Sequence, residues 1–456
     1  MRVVLATVLC LSFVALTLGA TAEQWRGRSI YQIITDRYAL PAGTNKTQCN
    51  PGDQTWCGGN WNAIREHLDY IQNAGFTAIW ISPVSQNYDG PRSPYGDAYH
   101  GYWIADATKL NDRFGTADDL KALSDELHKR GMYLMVDVVV NNVMSTSITP
   151  DLSTFMFKQK SQYHPYCPIQ WGNATSEQNC WLGDLKVPLP DVNTQDPGVV
   201  SAYCSWIQSL VSEFDIDGLR IDAAKHVNMD FWPTFCKAAG VFCIGEVFDN
   251  DMSQAAQYQG PDALDSILNY PMYGALVNAF AIPGQRNASA VTDAITQSKA
   301  LFKFRNFLVN GTTGWLKSQA EVLTTGPYGL AIMKGQVVTI LTNIGSPPQN
   351  ASVAAYTTFH DETAVTDILS CAEYAVGSNG TLEISYIEGG APAVLIPNNL
   401  LRDSNLCGFT TSFDDGEGAA QAASSARVDA GQLSWRSWVS QATLLILVGV
   451  CTFLTL

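Results

Sequence analysis

The sequence predicts an α/β protein: a barrel of repeated βα units, followed by a small antiparallel β domain. From residue 29 to about residue 310, short apolar and β-branched runs alternate with amphipathic stretches. This alternation is typical of parallel strands joined by helices. Beyond about residue 312 the texture changes to short alternating runs separated by Gly, Pro and Asn, which predicts antiparallel strands.

Six segments are the candidate barrel strands, and two amphipathic segments between them are the clearest candidate helices. The strands are SIYQIIT, AIWISPV, YLMVDVVV, GLRIDAA, VFCIGEV and, more weakly, SILNYPM. The helices are NWNAIREHLDYIQNAG and TADDLKALSDELHKRG. Gly75 and Gly131 stand at the ends of these helices, where glycine favours a stop because it adopts the left-handed conformation readily.

A long excursion interrupts the βα pattern at residues 141–193. It is rich in Pro, Gln, Asn and aromatic residues, and it contains Cys167 and Cys180. Irregular insertions of this length are usually functional or disordered, and the cysteine pair argues against disorder. We therefore predict an inserted loop domain after the third strand of a barrel at 23–310. The β domain follows at 311–407, with the runs GLAIMKG, QVVTILTNI, LEISYI and PAVLIP.

Both ends of the chain have the composition of targeting segments. Residues 1–22 combine an early Arg, an apolar run and small residues, which predicts a signal peptide. Residues 408–441 are rich in Gly, Ser and Ala and predict a linker, and residues 442–456 are apolar and uncharged. That tail is shorter than the roughly 20 residues of a membrane-spanning helix. It predicts a glycolipid (GPI) anchor signal on a secreted, cell-surface or wall protein; a plain hydrophobic anchor is the alternative.

Charge and cysteine content favour a secreted protein with a neutral ligand. The net charge of −15, without any basic run, excludes a nucleic-acid partner. Of the eleven Cys, Cys10 and Cys451 lie in the predicted cleaved ends, so nine remain and at least one is unpaired. Close spacing suggests three pairs without proving connectivity: Cys49 with Cys57, Cys167 with Cys180, and Cys371 with Cys407. Sequons stand at Asn45, Asn173, Asn287, Asn310, Asn350 and Asn379.

Three carboxylates follow or end candidate strands: Asp137 in DVVVNN, Asp222 in GLRIDAAKH and Glu246 in GEVF. In a βα barrel these strand ends share one face, so the carboxylates are expected to converge there. Two carboxyl groups about 5 Å apart suit a retaining glycosidase. Arg220 is expected to hold Asp222 ionised, and Glu246, less well paired, to keep the raised pKa of a general acid.

These segments resemble the signature regions of the α-amylase superfamily of glycoside hydrolases, particularly its fungal members. SIYQIITDR, CGGNW, GFTAIWISPV, GDAYHGYW, GTADDLKALS, CWLGD, LPD and DFWP match the family in order. The resemblance implies a TIM (β/α)8-type barrel, with Asp222 as nucleophile, Glu246 as acid/base and Arg220 as the partner of the nucleophile. It covers residues 24 to about 300 and resumes in the β domain.

The resemblance also implies ligand contacts. Sugar contacts would come from Gln54, Tyr102, Trp103, Asn142, Lys225 and His226. A structural Ca²⁺ would be held by Asn141, Gln178, Asp191 and the backbone carbonyl of His226, which offer the oxygen ligands that Ca²⁺ accepts. An acidic residue is more usual at Gln178.

Two departures from the family pattern bear on activity. Asn142 replaces the histidine that usually closes the first region, a change that resembles GPI-anchored fungal proteins implied to act as 4-α-glucanotransferases. The fourth signature region, which ends in a His-Asp pair, has no counterpart after Tyr270, so strands 7 and 8 of the barrel are predicted to be missing. Phe359, His360 and Asp361 imitate that region but lie in the β domain.

The leading functional prediction is therefore a retaining α-amylase that acts as a monomer on α-1,4-glucan or maltooligosaccharides. A role in fungal cell-wall α-glucan metabolism is a further expectation from the resemblance. Two alternatives stay open: a 4-α-glucanotransferase, and a catalytically inactive glucan-binding relative or truncated gene product. The loss of one preorganised electrostatic partner costs on the order of 100 to 1,000 fold in rate, which is why the fourth region matters.

Overall fold

The computed structural model describes residues 19–44, 49–274, 314–326, 329–342, 352–385 and 392–409. The helices in these ranges are α1 Ala22–Arg26, α2 Thr35–Tyr38, α3 Trp61–Glu66, α4 Leu68–Asn73, α5 Ala117–Lys129, α6 Ala174–Asn179, α7 Pro197–Phe214, α8 Trp232–Ala239 and α9 Met252–Ala256. The strands up to the β domain are β1 Ile30–Ile33, β2 Ala78–Ile81, β3 Ser85–Asn87, β4 Ile104–Leu110, β5 Tyr133–Val138, β6 Leu182–Gly183, β7 Pro188–Leu189, β8 Gly218–Ile221, β9 Phe242–Gly245 and β10 Ser266–Ile267.

A parallel sheet of six strands forms the centre of the first domain, in the order β1-β2-β5-β8-β9-β10. Every neighbouring pair is parallel, which confirms the predicted βα architecture. The sixth strand is the weakest, with only Ser266 and Ile267 paired. The predicted absence of strands 7 and 8 concerns the chain after Tyr270, where residues 275–313 lie outside the described ranges, and it stays a prediction.

The helices begin and end at the residues that favour caps. Thr116 and Asp119 form a reciprocal capping box at the start of α5. Gly75 and Gly131 have φ angles of +94° and +70°, as expected of helix-terminating glycines. The segment predicted as one helix from Asn60 is instead two short helices, α3 and α4, because His67 leaves the helical conformation, with φ −111° and ψ 15°.

The core lies between this sheet and the helices that cover it. Leu134, Leu219 and Ile221 of the strands are fully buried. Trp232 and Phe235 of α8 are buried in the same cluster. Each large apolar side chain buried in this way contributes about 1.5–3 kcal/mol, so this packing binds the helices firmly to the sheet. The strands are thereby held in fixed positions relative to one another.

The excursion is ordered, as its cysteines predict. It contains α6, the β6–β7 hairpin and the Cys167–Cys180 disulfide. The two other suggested pairs, Cys49–Cys57 and Cys371–Cys407, are also disulfides. The free cysteines of the described ranges are Cys204, Cys236 and Cys243.

The C-terminal domain is antiparallel, as predicted. Its strands are β11 Ala320–Thr325, β12 Gly329–Lys334, β13 Val337–Thr342, β14 Ser352–Tyr356, β15 Ala364–Asp367, β16 Glu373–Ala375, β17 Thr381–Ser385 and β18 Ala393–Pro397. Six of them form one sheet in the order β11-β12-β13-β18-β15-β16, and β14 pairs with β17. Asp361 accepts a hydrogen bond from the N–H of Gly380 at 3.1 Å, so it supports a turn of this domain.

The targeting segments fall mostly outside the described ranges. These include residues 1–18 of the predicted signal peptide, nearly all of the linker at 408–441 and the anchor signal at 442–456. Thr21 and Ala22, the last residues of the predicted signal peptide, belong to the capped start of α1. Within the described ranges no helix combines the length and apolarity required to cross a bilayer.

Candidate active site

Strand register brings the three carboxylates together. Asp137 on β5 pairs with Arg220 on β8, and Ile221 pairs with Gly245 on β9. Asp222 and Glu246 directly follow these paired residues. Their N–H groups donate to Val138 and Ile221 at 2.9 Å and 2.8 Å, which extends the ladder by one residue on each strand. The carboxyl ends of parallel strands share one edge, so the side chains meet as the sequence predicts.

Arg220 is the centre of this group. Its Nη1 lies 2.9 Å and 3.0 Å from the two oxygens of Asp137 and 2.8 Å from Oδ1 of Asp222. Its Nη2 lies 2.9 Å from Oε2 of Glu246. The Arg220 side chain is only 5% exposed. One buried cation therefore faces three carboxyl groups, and full ionisation of all three would leave uncompensated negative charge where it is costly.

That imbalance shifts the pKa values of these carboxyl groups, and burial raises the pKa of Asp137 above its usual range. Burial raises the pKa of Asp222 to about 7; the Arg220 guanidinium opposes this rise, and the charges of Asp137 and Glu246 add to it. The expectation that Arg220 keeps Asp222 ionised is therefore wrong for the free protein below neutral pH. The physical reason is that the guanidinium is shared among three carboxyl groups instead of serving Asp222 alone.

Glu246 is better paired than the sequence suggested. Its Oε2 accepts the N–H of Ala223 at 3.0 Å in addition to Arg220, and its Oε1 accepts the hydroxyl of Tyr270 at 3.0 Å. Burial acts to raise the pKa of Glu246, but Arg220 and these hydrogen bonds together lower it below its usual range. The expected raised pKa is thus wrong in this state, because hydrogen bonds to the ionised form favour that form.

A strained residue supports the arrangement of Glu246. Ala223 has a φ angle of +48°, in the left-handed region that side-chain-bearing residues rarely adopt. Such a conformation costs on the order of 1–3 kcal/mol and persists where the surroundings enforce it. Here it directs the Ala223 N–H at the Glu246 carboxylate immediately after Asp222.

Asp137 is the most buried of the three carboxylates. It is fully buried, and its Oδ2 accepts hydrogen bonds from the indole of Trp80 at 2.9 Å and the hydroxyl of Tyr102 at 2.8 Å. The rings of Trp80 and Tyr102 also lie 5.1 Å and 5.7 Å from the guanidinium carbon of Arg220. The roles of Trp80 and Tyr270 were not predicted, because their only signals in the sequence are their positions near the ends of β2 and β10.

The predicted aromatic platform of Tyr102 and Trp103 lies beside Asp137. It includes a histidine, His100, that was not predicted. His100 stacks on Tyr102 at 5.8 Å between ring centroids and meets Trp103 edge-on at 4.7 Å. Burial, and then the charge of Arg37, lower the pKa of His100 to about 4, so its ring is neutral at physiological pH. Gln54 lies on an exposed turn with φ +54°, where its carbonyl accepts the N–H of Asp97 at 2.9 Å.

Lys225 and His226 follow β8 and are held by the excursion. The Nζ of Lys225 lies 3.0 Å from Oε2 of Glu177 and 3.1 Å from Oδ2 of Asp249. The Nδ1 of His226 lies 2.9 Å from the carbonyl oxygen of Glu177. Both predicted sugar contacts therefore lie at the junction of the barrel and the inserted loops.

Comparison with known families agrees with this architecture. A profile described as the α-amylase catalytic domain matches residues 32–315, and one described as α-amylase domain C matches residues 322–414. The chain belongs to the α-amylase family. It is an α-amylase-type glycoside hydrolase of two domains, and the predicted fold class is confirmed.

Individual relatives are fungal. Alpha-amylase 1 of Lipomyces kononenkoae is 48% identical over 284 residues, which are 61% of this chain and 45% of that relative. Alpha-amylase 2 of Schwanniomyces occidentalis is 34% identical over 485 residues, covering 86% of this chain and 94% of that relative. Because 485 aligned positions exceed the 456 residues of this chain, the Schwanniomyces enzyme has positions without a counterpart here.

A solved structure shows the same fold. The α-amylase from Malbranchea cinnamomea superposes with a TM-score of 0.78 at 32% sequence identity. The match covers 85% of this chain and all of that structure.

Three of the calcium-binding residues implied by the family lie together. The side-chain amide nitrogen of Asn141 donates to Oδ1 of Asp191 at 3.2 Å and to the carbonyl oxygen of His226 at 2.9 Å. If this amide turned over, its oxygen would lie beside those two oxygens, as a cation site requires.

The chemistry of these donors fits a hard cation such as Ca²⁺. The described ranges contain no cluster of three or more His, Cys, Asp or Glu suited to a metal, so a site here would combine the Asp191 carboxylate with amide and carbonyl oxygens. Gln178 directs its side-chain nitrogen to the hydroxyl of Tyr258 at 3.4 Å, which leaves its backbone carbonyl as the candidate ligand atom. Asn142 is 3% exposed and faces Asn141, so its predicted sugar contact requires movement.

Replacing Tyr270 by Phe is expected to raise the pKa of Glu246. The change removes the hydroxyl that stabilises the ionised carboxylate but keeps the ring that packs against Phe248 at 4.8 Å. The expected effect is the loss of one hydrogen bond to a charged group, about 1.5 kcal/mol. Carboxyl ¹³C NMR titration of the two proteins measures it. Tyr273→Phe, on a ring 6.1 Å from Tyr270, is the matched control, and equal Glu246 titration in all three proteins contradicts the assignment.

Proposed function

We propose that this protein is a retaining α-amylase that cleaves internal α-1,4 bonds of starch-like α-glucan, with Asp222 as nucleophile and Glu246 as acid/base. One observation carries the proposal: Asp222 and Glu246 bind different nitrogens of the same guanidinium. They are therefore close neighbours, which suits the separation of about 5 Å in retaining enzymes better than the roughly 6.5–9.5 Å of inverting ones.

The reaction proceeds in two displacements. In the first, the carboxylate of Asp222 attacks the anomeric carbon while protonated Glu246 gives its proton to the glycosidic oxygen, and the leaving chain departs with that proton. In the second, ionised Glu246 takes a proton from water, whose oxygen attacks the glycosyl-enzyme and releases Asp222. Arg220 stabilises the Asp222 carboxylate when it forms and when it leaves.

The reactive form has its proton on Glu246, whose pKa is lowered in the free protein, whereas the pKa values of Asp137 and Asp222 are raised. Asp222 and Glu246 both bind the guanidinium of Arg220, so the ionisation of one affects the ionisation of the other. The two groups then titrate as a pair, and each pH–rate limb belongs to the pair and not to one residue. Tyr270 opposes the reactive form by favouring ionised Glu246.

Sugar binding is assigned to residues around this pair. Tyr102 and Trp103 supply aromatic surface, on which the apolar faces of sugars stack well. Lys225, His226 and Gln54 supply polar contacts, and Asn142 supplies one after turning from Asn141. The partly buried position of Tyr102, whose hydroxyl donates to Asp137, makes its ring a rigid platform.

A 4-α-glucanotransferase is the second candidate, and one observation favours it. Two large aromatic side chains near the acid/base are exposed: Phe248 at 62%, two residues after Glu246, and Trp171 at 70%, beside His226. Exposed rings there could bind an acceptor sugar in place of water. The acceptor hydroxyl would then attack the glycosyl-enzyme and give its proton to Glu246.

Product analysis with maltoheptaose separates these functions. A hydrolase yields only shorter chains, with the α-anomer released first in NMR spectra, whereas a transferase also yields chains longer than the substrate. If the parent protein binds maltoheptaose without converting it, and Asp222→Asn binds equally well, the protein is a glucan-binding relative and both enzymatic proposals fail.

We also propose that Ca²⁺ binds among Asn141, Gln178, Asp191 and the His226 carbonyl and stabilises the junction of the barrel and the excursion. Chelation is then expected to lower the melting temperature, and Ca²⁺ to restore it. At a free Ca²⁺ concentration 100 times Kd, the expected stabilisation is about 2.7 kcal/mol. Asp191→Asn is expected to remove most of this response, whereas Asp184→Asn, outside the cluster, keeps it. A melting temperature independent of Ca²⁺ in the parent protein contradicts the site.

We further propose that the protein acts as a monomer at the cell surface or wall, held by a GPI anchor, and serves cell-wall α-glucan metabolism. The apolar segment at 442–456 and the small-residue linker before it support the anchor. Release of the protein from intact cells by a phosphatidylinositol-specific phospholipase tests the attachment. Retention after that treatment favours the plain hydrophobic anchor.

A further inference from the structure

Glu177 is a buried carboxylate to which the mechanism above assigns no role. It lies in α6 of the excursion and is only 5% exposed. Its Oε2 is 3.0 Å from Nζ of Lys225, and its Oε1 accepts the N–H of Gly172 at 2.7 Å. Its backbone carbonyl lies 2.9 Å from Nδ1 of His226. Glu177 therefore contacts the Lys225 ammonium, the His226 ring and the backbone N–H of Gly172.

These contacts lie beside the candidate acid/base. Lys225 is adjacent to the acid/base, because its N–H donates to the carbonyl oxygen of Glu246 at 3.3 Å. Gly172 directly follows the exposed Trp171, whose ring meets His226 edge-on at 5.8 Å. A shift of Glu177 would therefore be felt by Lys225, His226 and Trp171 together.

Glu177 constrains the Lys225 ammonium more strongly than its other partner, Asp249, because Glu177 is more buried. The side chain of Glu177 is 6% exposed, whereas that of Asp249 is 21% exposed. A buried charged hydrogen bond is less screened by water, so it constrains the Lys225 ammonium more strongly. The contacts of Asp249 with Lys225 do not extend to the turn at Gly172.

We propose that Glu177 is a positioning residue that holds Lys225, His226 and the Trp171–Gly172 turn as one sugar-binding wall beside Glu246. The proposal rests on the proposed function, since it assigns the wall to α-glucan. Glu177 itself touches no reacting atom. It acts through the Lys225 ammonium, the His226 ring orientation and the backbone of the turn.

Glu177→Gln is expected to raise KM for maltoheptaose by about 10-fold, the size of one charge-assisted hydrogen bond, and to change kcat less than about 2-fold. The amide oxygen still accepts the Gly172 N–H, but the charge that fixes Lys225 is lost. Asp249→Asn is expected to raise KM less. Glu126→Gln, which removes a carboxylate paired with Arg130 on the distant helix α5, is the matched control and leaves KM unchanged. Equal effects of Glu177→Gln and Glu126→Gln overturn the proposal.

A double-mutant cycle distinguishes positioning from a general structural role. If Glu177 acts through Lys225, then Glu177→Gln adds little to KM in a Lys225→Ala background, because the group it positions is gone. Full additivity of the two changes overturns the proposal. Glu177→Asp, which keeps the charge, is expected to recover part of the binding, and melting temperatures with excess Ca²⁺ show whether each variant is folded.

A binding assay separates this proposal from the proposed function. In an Asp222→Asn background, which prevents turnover, the Kd for maltoheptaose is measured by tryptophan fluorescence with and without Glu177→Gln. If Asp222→Asn alone does not bind maltoheptaose, the proposed substrate is wrong. If it binds and Glu177→Gln leaves Kd unchanged, the positioning role alone is wrong. The expected result is a Kd about 10-fold higher in the double variant.

Discussion

Asp222→Asn is expected to lower kcat on maltoheptaose by about 10⁴-fold or more and to leave substrate binding near the parent level. The substitution keeps the shape of the side chain but removes the nucleophile, and loss of a nucleophile in another hydrolase costs on the order of 10⁶ in kcat. Steady-state kinetics with reducing-end detection measures the loss. Asp118→Asn, an exposed position at the start of α5, is the control and is expected to retain full activity.

The same variant has a pH-dependent stability. In the folded protein the pKa of Asp222 is raised to about 7, so folding favours the protonated form. That contribution is fully present below the ordinary aspartate pKa and is lost as pH rises through about 7. Asn is neutral at every pH, so the stability of Asp222→Asn relative to the parent is expected to increase between pH 4 and pH 8. A constant difference in unfolding free energy over this range contradicts the raised pKa.

Arg220→Met is expected to lower the free energy of unfolding by about 3–5 kcal/mol at neutral pH and to abolish turnover. Met approximates the length of the side chain but leaves three clustered carboxyl groups without a cation. The loss is expected to diminish as pH falls, because the carboxyl groups become protonated and no longer require a counter-ion. Denaturant unfolding at several pH values measures both effects.

Lys129→Met is the control for that experiment. Lys129 is 79% exposed and pairs with Glu126 at 3.4 Å, so its ion pair is expected to contribute less than about 1 kcal/mol at any pH. A loss in Arg220→Met as small as that in Lys129→Met, or one that grows toward low pH, would show that Arg220 does not balance the three carboxylates.

Much of this protein was predictable from local patterns. The alternating runs located the six parallel strands, because strand and helix periodicities are properties of the chain itself. Gly75 and Gly131 marked helix ends because positive φ angles favour glycine wherever the chain turns in that way. Asp137, Asp222 and Glu246 could be placed at one edge from strand order alone.

The failures share a physical cause. The predicted single helix from Asn60 divides at His67, and the extra partners of Glu246 come from Ala223 and Tyr270, which no periodicity connects to it. The assumed pairing of Arg220 with Asp222 alone followed from their two-residue spacing on one strand. Contacts between strands depend on register, which the spacing along one strand does not contain.

The sequence by itself determined the α/β class, the order of the two domains, the ordered excursion and the convergence of the candidate carboxylates. Only the tertiary structure decided how one guanidinium is divided among Asp137, Asp222 and Glu246, and hence the direction in which each pKa shifts. It also revealed Glu177 as the link between the excursion and Lys225. The reason is that pKa values and side-chain positions depend on burial and on charges distant in the chain, whereas strands and helices are encoded largely by neighbouring residues.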